Sequence, residues 1–225
     1  SRNDRGVMST DRRTTLLSLV HLPSGWLPVA VACGSAAALL GLALTWIGLA
    51  VAGVSPGESE VARWMVGGPI SAVEGSIWFL LDAHWVRVRT GPGLSNHVIF
   101  GHPLIQADAA LWPLRAVPLT FALGAAAAVR YLGIDDLLAG AVTGMGATLG
   151  SLRTMLALRA VSRVPLTRHA TDGTVPISDA DGIPVTEAAG VTAGPDFAAT
   201  VLLVTGLGVV VGHLVGASAT FATGD

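Results

Sequence analysis

The chain contains no lysine. Its 225 residues carry 13 basic residues, all arginine, against 15 Asp and Glu. That absence removes two chemistries, because a retinal Schiff base and a P-loop both need a lysine amine. Cysteine is nearly missing as well. Cys33 is the single one, inside an apolar run, so neither an intramolecular disulfide nor a cysteine-rich metal site is possible. Charged residues make up only 12 % of the chain, where about 25 % is usual in soluble domains. The formal net charge of −2 offers no basic excess, and no nucleic-acid partner is expected. G-x-S-x-G and HExxH motifs and a pair of intramembrane aspartates are absent too, so a lipase-type nucleophile or a membrane metalloprotease has no support, and the chain reads as non-enzymatic or of unknown activity.

What fills the chain instead is apolar. Hydrophobic residues reach 52 % and the mean hydropathy is +0.64. Leu22 through Gly57 runs 36 positions without Asp, Glu, Lys, Arg or His. A membrane-crossing helix needs about 20. The sequence predicts an all-α protein, a polytopic membrane helix bundle of about five transmembrane helices. A cytoplasmic segment covers 1–25 and the transmembrane domain 26–221, with polar loops at 84–112 and 161–195. The first span is expected from about Trp26 to Val54, with Pro28 in its first turn and Ser55-Pro56-Gly57 ending it. The second, Val61–Ala83, carries Arg63, Glu74 and Asp82 and is interrupted by Gly67-Gly68-Pro69, so it is either a full span or a half-helix, a kink and a second half. The third covers about Pro113–Gly133, flanked by Arg115 and Arg130, which can snorkel to the two interfaces. The fourth covers about Leu137–Ala160 and the fifth about Phe197–Phe221. The loop Val161–Pro195 has turn residues and acids and no periodicity, and reads as an exposed, mobile surface segment or as one with short hairpins. Arg12-Arg13 has the look of a twin-arginine signal, but the apolar run behind it is too long for a signal core, which favours an uncleaved first helix. Met8 is a possible start.

Arginine sets the expected orientation, since cytoplasmic loops collect basic residues near helix ends. With the N-terminus inside, five crossings place Arg2, Arg5, Arg12, Arg13, Arg87, Arg89, Arg115, Arg153, Arg159, Arg163 and Arg168 inside and only Arg63 and Arg130 outside. The expected location is the cell membrane, multi-pass, with the N-terminus cytoplasmic.

Few residues could carry an activity. Glu74 and Arg153 sit inside apolar segments at depths that differ by about 5 Å, so an ion pair between spans two and four is geometrically reasonable, more as a structural pair than as a relay. His213 lies in the fifth span and is read as making an interhelical hydrogen bond. Gly140, Gly144, Gly146 and Gly150 in the fourth span, and Gly208, Gly212 and Gly216 in the fifth, stand four apart and suit close helix approach, within the chain or between copies. Asp82, His84, His97, His102 and Asp108 are ligand types for a divalent metal, but their spacing matches no known site. No cofactor is expected. The expected partners are the lipid bilayer and a second copy or a membrane-complex subunit.

Gly75-Ser76-Ile77-Trp78-Phe79-Leu80-Leu81-Asp82-Ala83-His84, the lysine-free first span, and Ala193-Gly194-Pro195-Asp196 before the last span form a suggestive set. Together they resemble a family of uncharacterised polytopic membrane proteins of halophilic archaea, whose function is unknown. The resemblance covers Gly75 to the C-terminus. It implies a membrane location and assigns no catalytic residue. The reading is therefore a structural or accessory membrane component. The alternative is a small transporter or channel-like protein using Glu74, Arg153 and His213.

Overall fold

A computed structural model describes residues 21–58, 66–90, 104–175 and 183–221. The longest elements start where the apolar runs start. Helix α1, Trp26–Val51, follows Gly25, whose φ of 78° turns the chain into it. Asp136 caps α4, Leu137–Val161, by accepting the Ala139 N–H at 2.7 Å. Asp196 caps α6, Phe197–Phe221, by accepting the Ala199 N–H at 2.6 Å. Between α1 and α4, a 3-10 helix over Ala109–Leu119 continues into α3, Thr120–Tyr131. Pro113 and Pro118 explain the tight first half, because each lacks the N–H that an α-helix would bond. Trp26–Val51, Ala109–Tyr131 and Phe197–Ser218 are long and apolar enough to cross a membrane.

Close approaches between helices fix their directions. Gly48 faces Leu114, Gly41 faces Val117 and Thr120, and Gly124 faces Ala37, so α1 runs antiparallel to the 3-10/α3 segment. Gly146 faces Ala30 and Gly150 faces Val31, while the Ser35 hydroxyl donates to Gly150 O, so α1 and α4 run parallel. Gly140 faces Gly216, Gly144 faces Gly212, and Thr148 faces Gly208, so α4 and α6 are antiparallel. The four long segments thus alternate in direction. The start of α1, the turn Leu132–Asp136 and the end of α6 share one end of the bundle, where His21–Pro23 lies against that turn.

The other end carries a folded cap. Helix α2, Ala72–Ala83, lies under strands β1 (Val88–Thr90), β2 (Val164–Pro165) and β5 (Thr192–Pro195). These form an antiparallel sheet in the order β1-β5-β2, with Val88 opposite Pro195 and Val164 opposite Ala193. A second small pair joins β3 (Thr174–Val175) to β4 (Ile183–Pro184), followed by the one-turn helix α5 (Val185–Ala188). Trp78, Ile77, Leu80 and Leu81 of α2 are fully buried, and Leu80 reaches the α1 face at Gly41. The Trp78 indole N–H donates to Ser162 O at 2.8 Å, which ties α2 to the last turn of α4.

Three expectations change. Within Val61–Ala83 the described helix is the 12-residue α2, about 18 Å long and too short for the expected span, and Ser71 starts it only after Gly67-Gly68-Pro69. The region 161–195 is not a mobile loop in its described part, because Val164, Leu166, Val175, Ala188 and Ala193 are fully buried under the cap. Its polarity hid a small core of single apolar residues between turns. The eleven-to-two arginine division needed α1 to begin on the same side as Arg87, whereas the alternating helices put the start of α1 and Arg87 at opposite ends of the bundle. The N-terminal arginines at 2, 5, 12 and 13 and the segment holding Arg63 lie outside the described residues.

Candidate functional site

The charged residues worth asking about gather where α2 meets the cap. Glu74 stands at the third position of α2 and closes a capping box: Ser71 Oγ accepts the Glu74 N–H at 3.1 Å, and Glu74 Oε2 accepts the Ser71 N–H at 2.8 Å. The Arg168 guanidinium then grips both carboxylate oxygens, at 2.7 and 2.8 Å. This two-point fork holds the Glu74 carboxyl below its ordinary value, against the opposing cost of burial, and it holds Arg168 above its own. The expected Glu74–Arg153 pair is not formed. Arg153 lies exposed on α4, and Arg168 had escaped notice because its loop was read as unfolded.

At the other end of α2, Asp82 is 1 % exposed and faces Arg115. Its Oδ2 accepts the Ile105 N–H at 2.9 Å and lies 3.3 Å from the Arg115 guanidinium, which also donates to Asp82 O. Arg115 therefore does not snorkel to an interface; it is bound inward, with its guanidinium 5.2 Å from the centre of the Trp85 ring. Burial raises the Asp82 carboxyl above its ordinary value, and the Ile105 N–H and Arg115 only partly offset that. Among the described residues Asp82 Oδ1 has no hydrogen-bond partner.

His84 follows directly. It is fully buried, with its ring 5.0 Å from Phe121. Nδ1 lies 2.8 Å from Leu80 O, so this nitrogen carries the proton and donates. Nε2 is then a bare acceptor, and among the described residues it has no partner. Burial pushes the imidazole down to about 4, so the ring is neutral at pH 7. A third carboxylate, Asp196, lies 3.7 Å from Arg89 while capping α6.

The remaining candidates separate. His213 is exposed on α6, towards the end of the bundle away from the cap. Glu74, Arg153 and His213 do not converge. Asp108 caps the 3-10 helix through the Ala110 N–H, and His97 and His102 lie outside the described residues. Among the described residues no three of His, Cys, Asp or Glu come together as a metal site. The seven glycines all sit in helix-to-helix contacts inside the chain; a Cβ on Gly144 would collide with Gly212 O, and one on Gly150 with Val31 O.

What the fold defines is a mostly helical protein with three helices able to cross a membrane and charges locked in pairs at one end of its bundle. No protein-family model matches the chain, and neither does any curated protein or solved structure.

Proposed function

We propose that this is a multi-pass membrane protein that crosses the bilayer four times, with its cap at one membrane face, and that it serves as a structural or accessory membrane component. The carrying observation is that the charges a relay would need are consumed in scaffolding. Glu74 caps α2 and holds Arg168, Asp82 holds the Ile105 N–H and Arg115, and Asp196 caps α6. The long helices also meet through glycine, backbone against backbone, an arrangement that favours tight packing in lipid over a polar path. Outward-facing Ile47, Leu202 and Leu214, each more than half exposed, suit contact with hydrocarbon. Helix α4 completes the fourth crossing with an uncharged stretch from Leu137 to Leu152. The resemblance to haloarchaeal membrane proteins of unknown function agrees with a membrane role and adds no activity.

The test is ion and proton flux in proteoliposomes, with the original chain and with Glu74→Gln. The expected outcome is flux equal to that of empty vesicles in both, with a lowered unfolding midpoint for the variant. Flux above background that Glu74→Gln abolishes would replace this reading with the transporter.

A further inference from the structure

The outer face of the cap sheet carries more arginine than acid. Arg89 of β1 stands opposite Gly194 of β5, and residues directly opposite in an antiparallel pair point to the same face. On the other flank, Val164 of β2 stands opposite Ala193, which brings Arg163, one residue earlier, alongside Gly194. A side chain at Gly194 would start 3.5 Å from Arg163 Cγ, so the Arg163 side chain rises on this same face. Gly194 has none, and the result is a floor of backbone between two exposed arginines. Arg159, in the last turn of α4, adds a third guanidinium: its Nε donates to Pro195 O at 2.9 Å, and Arg163 is close enough to repel it. Among the described residues the carboxylate facing these three is Asp196. Its Oδ1 is spent on the Ala199 N–H, and its Oδ2 lies 3.7 Å from Arg89, beyond hydrogen-bond distance. Arg163 has no ion pair among the described residues.

We propose that this face binds the phosphate of an anionic membrane lipid, held between Arg89 and Arg163 over Gly194. A guanidinium fork matches phosphate oxygens, and a glycine floor lets the headgroup come down onto the strand. The border of the patch selects a lipid over a soluble anion. The Arg159 guanidinium lies 5.2 Å from the centre of the Phe197 ring, and Phe197, the first residue of α6, is 56 % exposed. Val161 at the end of α4 is 67 % exposed. Leu202, 71 % exposed, follows Phe197 by five residues, about 7.5 Å along the helix. Arginines and an exposed ring at the ends of apolar helices stand at headgroup level. A phosphate bound there leaves its acyl chains beside α4 and α6, whereas a soluble anion gains nothing from the apolar border. The proposal rests on the membrane reading above and adds to it the class of lipid that the cap selects.

The experiment immobilises the full chain on beads in non-ionic detergent and adds radiolabelled phosphatidylglycerol or phosphatidylcholine with the same acyl chains. The expected result is saturable retention of phosphatidylglycerol, preferred by at least about fivefold, the factor that one basic residue near a membrane surface supplies. Inorganic phosphate should displace it no better than sodium chloride at the same ionic strength. The double variant Arg89→Gln/Arg163→Gln should bring the preference close to one. Gly194→Asp keeps both arginines and places a carboxylate between them; its Cβ meets nothing closer than 3.5 Å, so the unfolding midpoint should hold while the preference disappears. Arg153→Gln removes an exposed arginine six residues before Arg159 and should leave the preference intact. Equal retention of the two lipids, or a preference that survives Gly194→Asp, would overturn the proposal, and a poorly folded double variant would not shield it from the second result. A loss as large in Arg153→Gln would overturn it as diffuse attraction, displacement by phosphate beyond the salt control as a free-anion site, and retention of poly-aspartate in place of lipid as a site for a soluble acidic partner. Flotation with phosphatidylcholine liposomes reports separately on the membrane reading: a chain that floats but shows no lipid preference fails this proposal alone, and one that does not float loses both.

Discussion

Glu74 is held by two different devices at once, and each can be weighed. The capping box satisfies two backbone donors that α2 would otherwise leave open, while Arg168 supplies a bidentate, charge-assisted pair. Arg168 is 37 % exposed at its side chain, so screening reduces the pair's worth, and a coupling of about 1–2 kcal/mol between Glu74→Gln and Arg168→Gln is expected from thermal unfolding of the two singles and the double. Additive losses would show that the fork contributes nothing. Arg168→Lys should recover less than half, since an ammonium cannot make the two-point contact. Acid sensitivity carries its own signature. In the unfolded chain His84 titrates at the ordinary 6.5, and in the fold at about 4. The stability gained by keeping it neutral is therefore complete above pH 6.5, falls as pH drops through that window at up to about 1.4 kcal/mol per pH unit, and stops falling below about 4. Glu74, with its value lowered by Arg168, adds its loss only below 4.5, and the raised Asp82 acts with the opposite sign. Unfolding midpoints of His84→Phe should thus fall less between pH 6.5 and 4.5 than those of the original chain; a slope equal to that of the original chain would contradict the buried neutral imidazole. The capping box was readable in Ser71-Ala72-Val73-Glu74, because it is local. Arg168 lies 94 positions further along the chain, and no spacing rule could pair it with Glu74.

Among the elements, the helix ends were the most legible part. The expected fourth and fifth spans differ from α4 and α6 by one residue at most, because Asp136 and Asp196 mark the starts and polar turns mark the ends. Helix α2 was misjudged because its burial comes from two sources: it is apolar along its length like a crossing helix, yet it packs against cap residues as well as the long helices. The cap strands were invisible for a different reason. Each has two to four residues, too few for an alternating pattern to be seen, and their pairing joins β1 to β5 across roughly a hundred residues. Glycine in α4 and α6 gives the sharpest test at this scale. Gly144→Ala puts a methyl group into Gly212 O, backbone that cannot give way, so α4 and α6 must part; a loss of about 2 kcal/mol or more is expected, in the range of overpacking. Gly206→Ala meets nothing and should be neutral or stabilising by up to about 1 kcal/mol through helix propensity. Equal midpoints for the two variants in detergent would mean that the α4–α6 contact is looser than its geometry.

For the whole molecule, the proposed four-crossing arrangement puts everything after α2 on the side opposite to that of the five-crossing expectation. Five crossings put the turn at Asp135 opposite the N-terminus. The alternating order of α1, the 3-10/α3 segment, α4 and α6 puts Pro23 and Asp135 together at one end and gathers Gly57, Arg87 and Asp172 at the other. Composition could point to helices able to cross a membrane, because 36 uncharged positions exceed what one crossing needs. It could not count the crossings, since that count hinged on a single 12-residue helix whose partners are far away in sequence. The most direct measurement is side-specific cysteine labelling in sealed vesicles, with Cys33 replaced and single cysteines placed at positions 23, 57, 135 and 172. Positions 23 and 135 should react from one side and positions 57 and 172 from the other. Labelling of 57 and 135 from the same side, with 23 and 172 opposite, would restore the five-crossing arrangement and contradict the capped four-segment bundle.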